Sequence, residues 1–222
     1  MKGCEREKSA HLPVTKNPQT AGIILAGGTA ERLGLVVKAN LKIGGRTLLE
    51  RSRTSIKANC AHLILSSGTH SPALFDDAGG LICVGDDGQG PARALLKGAS
   101  YIQEHLPDVG FLVSVAVDAP FLPSDFIGRA MKLLTGDVDA VVAAFDTQTY
   151  PTNSLWRLPT LARFSEATDP EIAQNAPRSL FGILKRVRWV ELDYTPLTSK
   201  NPFVNVNTPA DLVACNQRAR TD

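Results

Sequence analysis

The sequence predicts an α/β fold with a mainly parallel central sheet, on three observations. Apolar runs such as Ile23-Ile-Leu25, His62-Leu-Ile-Leu65 and Gly110-Phe-Leu-Val-Ser-Val-Ala-Val117 suit strands buried on both faces. Stretches with helical spacing separate those runs, as βαβ units require. The runs end in glycine, serine or aspartate, and in such sheets ligands sit beyond the carboxyl ends of the strands.

The elements follow in order. Residues 1–20 are polar, contain Pro13 and Pro18, and read as a tail ahead of the fold. Ile23–Leu25 is the first strand, stopped by Gly27-Gly28, where a missing Cβ lets the backbone turn and approach a ligand closely. Leu41-Lys-Ile43 is a short apolar stutter that ends at Gly44-Gly45. A helix is expected over Thr47–Ala58, with Leu48, Leu49, Ser52, Ser55 and Ile56 at helical spacing. His62–Leu65 is the second strand and Leu81–Val84 the third.

Pro91, pre-set for a first helical turn, opens a helix over Ala92–His105. Gly110–Val117 is the clearest strand and ends at Asp118-Ala-Pro120. A helix over Pro123–Leu134 and a strand over Asp139–Phe145 come next. The final third is more mixed. It holds a short strand in Pro151–Arg157, helices over Thr160–Ala167 and Arg178–Arg186, and an alternating edge strand at Arg188–Leu192. Pro202–Asn207 reads as strand-like, and Thr208 caps a last helix with Pro209 at its first position and Asp211 at its third. No linker-like break divides residues 21–222, which read as one domain.

Composition narrows the function. At 222 residues the chain can bury a sizeable core. A net charge of +2 is far from the basic excess of a dedicated nucleic-acid binder, so no nucleic-acid partner is expected. Cys4, Cys60, Cys83 and Cys215 are scattered, which argues against structural zinc or a disulfide framework and fits a reducing cytoplasm. No stretch is long enough to span a bilayer, so no membrane partner is expected. Neither G-x-G-x-x-G nor G-x-x-x-x-G-K-[ST] is present, and H-E-x-x-H and G-x-S-x-G are missing too.

The candidate chemistry gathers at the strand ends. Bare backbone at Leu25, Ala26, Gly27 and Gly28, followed by the cations Arg32 and Lys38, is an arrangement that holds phosphate. Asp118, at the end of the clearest strand, can hold a hard divalent cation, since Mg²⁺ takes one or two carboxylates plus phosphate oxygens. Its other reading is a turn aspartate bonded to local N–H groups. Asp87, with Asp86 as its rival, lies in a glycine-rich loop that suits a ribose hydroxyl or a stabilised turn. Ser66 closes the second strand at the same edge. Asn205 and Asn207 are two apart, so in a strand both amides would face one way and could read a heterocycle edge.

With these residues in hand, the chain resembles the molybdenum cofactor guanylyltransferases, the MobA-like nucleotidyltransferases. Leu25-Ala-Gly-Gly-Thr-Ala-Glu-Arg-Leu-Gly34 followed by Lys38 carries the first signature. Gly45-Arg-Thr-Leu-Leu-Glu50, Asp87-Gly-Gln-Gly-Pro91, Asp118-Ala-Pro120, Pro151-Thr152 and Asn205-Val-Asn-Thr-Pro-Ala-Asp-Leu212 continue it in family order. The chain departs from the family at Leu35-Val-Val-Lys38, where Gly-x-Asp-Lys is usual, and at Ser66, where Asn is frequent. The resemblance implies a Rossmann-like three-layer nucleotidyltransferase fold and transfer of GMP from GTP to molybdopterin, with Mg²⁺ as cofactor. It further implies that the backbone of Leu25, Ala26 and Gly27 holds guanine, that Gly28, Ser66 and Asp87 lie by the nucleotide, and that Lys38 meets the triphosphate. Arg32, Lys38 and Asp118 would be the catalytic charges, Asp118 the metal ligand, and Asn205 with Asn207 the acceptor site. Transient contact with other cofactor-biosynthesis proteins is implied as well. Two rival readings stand beside it: a cytidylyltransferase or other small-acceptor nucleotidyltransferase, and a catalytically weak paralogue that binds nucleotide or pterin.

Overall fold

The computed structural model describes residues 19–27, 29–30, 36–165, 177 and 179–221. The expected tail, apart from its last two residues, therefore lies outside the described residues, as do Gly28 and Arg32. Strand β1 (Gln19–Leu25) leads into two small antiparallel pairs, β2 (Thr29–Ala30) with β3 (Val36–Val37) and β4 (Lys42–Ile43) with β5 (Arg46–Thr47). Then come α1 (Leu48–Lys57), β6 (His62–Ser66), β7 (Ile82–Val84), α2 (Pro91–His105) and β8 (Val109–Ala116). The remainder is α3 (Phe126–Leu133), β9 (Ala140–Phe145), β10 (Gln148–Arg157), α4 (Leu158–Ser165), α5 (Leu180–Leu184), β11 (Trp189–Asp193) and α6 (Pro209–Arg218).

Seven strands form one sheet in the order β11-β9-β10-β8-β1-β6-β7. Neighbours are parallel except at β10, which runs antiparallel to both β8 and β9. The mainly parallel sheet is therefore as expected. Alternate residues of each central strand enter opposite cores, because side chains in a strand alternate between faces. Ile24, Leu65, Val113 and Val141 pack with Leu48, Ile56, Phe126 and Cys215 from α1, α3 and α6. Ile23, Ile64, Leu112 and Val142 pack with Leu95, Leu161 and Ile183 from α2, α4 and α5. Helices thus cover both faces, giving the three-layer arrangement.

The site's location follows from the topology. From β1 the chain builds outward through β6 to β7, then returns to lay β8 on the other side of β1. That reversal makes the carboxyl end of β1 the switch point, where a crevice opens between diverging loops.

Several elements differ from expectation. Gln19 and Thr20, expected in the tail, belong to β1: the Gln19 N–H donates to the Asp108 carbonyl, and Thr20 is buried beside β8. The short strand expected at Pro151–Arg157 is all but the first three residues of the ten-residue β10, whose register shifts between Tyr150 and Ser154. That bulge accommodates Pro151, which cannot donate to a ladder. The stretch Pro202–Asn207 is not a strand; it is an irregular strap fastened by the Val206 N–H donating to the Asp118 carbonyl. Val37, which stands where the family usually has Asp, pairs with Thr29, and Val36 pairs with Ala30, while Leu35 lies outside the described residues.

Candidate active site

The loops at the switch point are held by a contact between two glycines and by one buried acid. A Cβ at Gly27 would stand 2.7 Å from Gly68 Cα, so the β1 and β6 loops touch only because neither residue has a side chain. Gly68 also adopts φ +61°, a left-handed conformation that glycine takes at no steric cost. Asp86 lies behind this contact, only 2% exposed. Its Oδ2 accepts from the Ser66 hydroxyl and from the Gly68 N–H at 3.2 Å, and its Oδ1 accepts from the Gly88 N–H at 3.0 Å. One carboxylate therefore ties the ends of β6 and β7 together.

These loops enclose a cavity of about 470 Å³. Leu25, Gly27, Lys38, Asp86, Asp87 and Asp118 contribute to its wall, together with Thr69, Gly88, Gly90 and Thr152. Of the residues singled out from the sequence, Leu25, Gly27, Lys38, Asp87 and Asp118 are thus brought together. Ala26 is buried, its N–H donating to the Ser66 carbonyl, and Ser66 itself is buried with its hydroxyl turned to Asp86. Neither is among the wall residues.

Charge is concentrated at one end. Lys38 stands at the start of a 3₁₀ turn over Lys38–Asn40, and its Nζ donates to Asp118 Oδ2 at 2.6 Å and to Asn207 Oδ1 at 2.7 Å. The Lys38 and Asp118 side chains are 12% and 19% exposed, so this pair is screened less than a surface pair would be. Asn207 is exposed, and its own N–H is held by Asp211 Oδ2 at 2.9 Å. Asn205 differs from it: its Oδ1 is buried without a hydrogen-bond partner among the described residues.

Asp87, in the cavity wall, pairs with cations of α2. Lys97 reaches its Oδ2 at 2.9 Å and Arg93 at 3.9 Å. The hydrogen bond from Lys97 and that residue's charge hold the Asp87 carboxyl below the usual carboxylate range, with a smaller contribution from Arg93. Asp87 also adopts φ +60°, a backbone state tolerated by aspartate. Sequence reading passed over Lys97 and Arg93, although their spacing of four on a helix places both on one face. It also missed Asn153, wholly buried in the β10 bulge, whose Oδ1 accepts from the Ala116 N–H at 3.1 Å. No motif marks that residue, because its partner lies across the sheet.

Among the described residues no three His, Cys, Asp or Glu side chains converge on one point. Of the three carboxylates in the cavity wall, Asp86 is taken up by the loop donors and Asp87 by Lys97. The candidate metal donor is therefore Asp118, which stands beside the Lys38 ammonium. That donor fits Mg²⁺ arriving on phosphate oxygens, which needs one or two protein carboxylates and not a full cage.

The model of the MobA-like NTP transferase domain matches residues 22–187. The chain belongs to the MobA-like family. A molybdenum cofactor guanylyltransferase of Bradyrhizobium sp. (strain ORS 278) is 32% identical over 212 residues, covering 93% of this chain and 97% of that one. Another from Rhodopseudomonas palustris (strain BisB5) is 33% identical over 223 residues, covering 95% and 99%. The crystal structure of molybdopterin-guanine dinucleotide biosynthesis protein A from Archaeoglobus fulgidus superposes with a TM-score of 0.70 at 18% identity, over 91% of this chain and all of that one. A 4-diphosphocytidyl-2C-methyl-D-erythritol synthase from Anaerococcus prevotii shares the fold at a TM-score of 0.62 and 14% identity, over 91% and 96%. These two likenesses establish the fold. The MobA-like chain is thus a three-layer α/β nucleotidyltransferase by family and by architecture.

Proposed function

We propose that this MobA-like protein transfers GMP from GTP to the terminal phosphate of molybdopterin, forming molybdopterin guanine dinucleotide. A phosphate oxygen of molybdopterin bonds to the α-phosphorus of GTP; the bond from that phosphorus to the β-bridging oxygen breaks, and pyrophosphate leaves with the electron pair. The observation that carries this reading is the Lys38–Asp118 pair on the wall of the glycine-loop cavity, in a chain about one-third identical to named guanylyltransferases.

In this reading residues 21–222 act as one nucleotidyltransferase domain. The backbone at Leu25, Ala26 and Gly27 holds the base, with Gly28 beside the nucleotide and Ser66 supporting that loop through Asp86. Asp87 takes the ribose side, already fixed by Lys97. Lys38 and Arg32 neutralise the triphosphate, and Asn205 with Asn207 receives the pterin. The acceptor oxygen of Asn205, buried without a donor, supports that role, since such an atom costs free energy until a donor meets it. Asp118 would hold Mg²⁺, which when bound supplies positive charge to the phosphate oxygens. The protein's part is positioning and charge neutralisation, with no covalent step of its own.

We place the protein in the cytoplasm. Among the described residues no helix is long and apolar enough to cross a membrane. GTP and molybdopterin are its small-molecule partners, nucleic acid and membrane are not, and other cofactor-biosynthesis proteins meet it transiently. Incubation with GTP, Mg²⁺ and molybdopterin should release pyrophosphate well above an Asp118→Ala control. Release no higher than in that control would leave a binding protein in place of an enzyme.

A further inference from the structure

The carboxylate assigned to the metal already carries a cation that belongs to the protein. Lys38 Nζ lies 2.6 Å from Asp118 Oδ2 and 2.7 Å from Asn207 Oδ1, and among the described residues no other residue in the cavity wall brings an ammonium to that carboxylate. The three partners differ in freedom. Asp118 is fixed at its carbonyl by the Val206 N–H, and Asn207 is fixed at its N–H by Asp211. Lys38 has a fixed backbone too, its carbonyl accepting from the Leu41 N–H, but its charge rides on a flexible four-carbon stem. With all three backbones anchored, the ammonium, on the longest stem, has the widest reach.

We infer that Lys38 is a displaceable internal cation that competes with a divalent metal for Asp118, and that Asn207 is the positioning residue that keeps it there. The inference rests on the reading of Asp118 as the metal ligand. Two cations on one carboxylate repel, so the metal and the ammonium exclude each other unless the lysine finds another anion. A nucleotide triphosphate in the cavity is that anion. Lys38 would then leave Asp118 for the phosphates and free the carboxylate to hold a divalent metal. Nucleotide and metal binding are therefore coupled, and by linkage each strengthens the other equally. Asn207 accepts from the ammonium in the resting arrangement, which sets where it is parked and how readily it departs.

The test is Mn²⁺ binding to the full chain, read from the electron paramagnetic resonance signal of free Mn²⁺, with and without GTP. A cation at hydrogen-bond range changes a carboxylate's proton affinity by one to three orders of magnitude, and its affinity for metal should respond at the low end of that range. Lys38→Met should therefore bind Mn²⁺ alone about tenfold more tightly than the unmodified protein, and GTP should improve that affinity less. Asn207→Ala should tighten binding of Mn²⁺ alone by a smaller factor and keep most of the GTP-dependent gain. It also carries the test if the lysine variant does not fold. Equal Mn²⁺ affinity in all three proteins without nucleotide would overturn the inference. Failure of GTP to bind the unmodified protein with Mn²⁺ would overturn the nucleotide reading instead, while the nucleotide-free comparison still decides the role of Lys38.

Discussion

Gly27 and Gly68 meet backbone to backbone where the loops after β1 and β6 cross, so close that a Cβ on either would come within 2.7 Å of the other's Cα. Neither neighbour can yield, because both are main chain. Gly27→Ala should destabilise the protein by about 1–3 kcal/mol, the usual cost of overpacking. Gly68→Ala should cost more, since its φ of +61° adds backbone strain. Urea unfolding of both variants checks the order, and a Gly27→Ala protein as stable as its parent would show that the loops move apart freely.

Asp86 yields the next expectation. Its carboxylate serves the Ser66 hydroxyl and the Gly68 and Gly88 N–H groups at 2% exposure. Asp86→Ala strands all three donors and should cost on the order of 3 kcal/mol, while Ser66→Ala removes one donor and should cost about 1 kcal/mol. Chemical denaturation separates them. Equal losses would mean that the hydroxyl is the main partner and the loop N–H groups are not.

How much of this was legible in advance depends on the range of each interaction. Ile23–Leu25, His62–Leu65 and Gly110–Val117 announced buried strands by composition alone, and the parallel sheet followed from helices between them. The capping box at Thr208 and Asp211 was readable because both partners lie within one turn. Lys38, Asp87 and Asp118 could be picked out individually because each closes a strand or follows a glycine turn. Their contacts could not. Lys38 meets Asp118 across 80 positions and Asn207 across 169, and Asp86 outranks Asp87 in burial only because it turns inward to Ser66. The strand expected from Pro151 onward starts three residues earlier, because β10 carries Pro151 in a bulge that sequence does not display.

Lys38→Ala should weaken GTP binding by about 1–3 kcal/mol, the range for a charge-assisted contact. Isothermal titration with Mg²⁺ present measures it. Unchanged affinity would return Lys38 to a purely structural role beside Asp118 and Asn207.

Nucleotide choice is open to a direct reading. The Leu25-Ala-Gly-Gly28 start leans to guanine by resemblance, since the cytidylyl relatives usually read Leu-Ala-Ala-Gly at this place. GTP with Mg²⁺ should raise the melting temperature more than CTP or ATP at equal concentration, since a ligand that binds the folded state more tightly stabilises it more. Equal or greater stabilisation by CTP would sink the guanine assignment.

The strap that carries Asn207 depends on one titrating group. Asp211 Oδ2 accepts from the Asn207 N–H at 2.9 Å and the Thr208 N–H at 2.8 Å, while Thr208 Oγ1 accepts from the Asp211 N–H at 3.2 Å. The Asn207 N–H foremost, then the Thr208 hydroxyl and N–H, hold this carboxyl below its ordinary range. A carboxyl depressed in the folded state binds its proton more readily when unfolded, so its contribution is complete above the ordinary range. That contribution is lost as pH falls through the ordinary value, about 4, towards the lowered one. Asp211→Asn should therefore lower the urea midpoint near neutrality, and the gap to the unmodified protein should close as the solution is acidified. Thr208→Ala, which removes the other half of the box, should cost about 1 kcal/mol at neutral pH. A gap for Asp211→Asn that stays constant from neutral to acid pH would show that the charge at this position does not secure the strap.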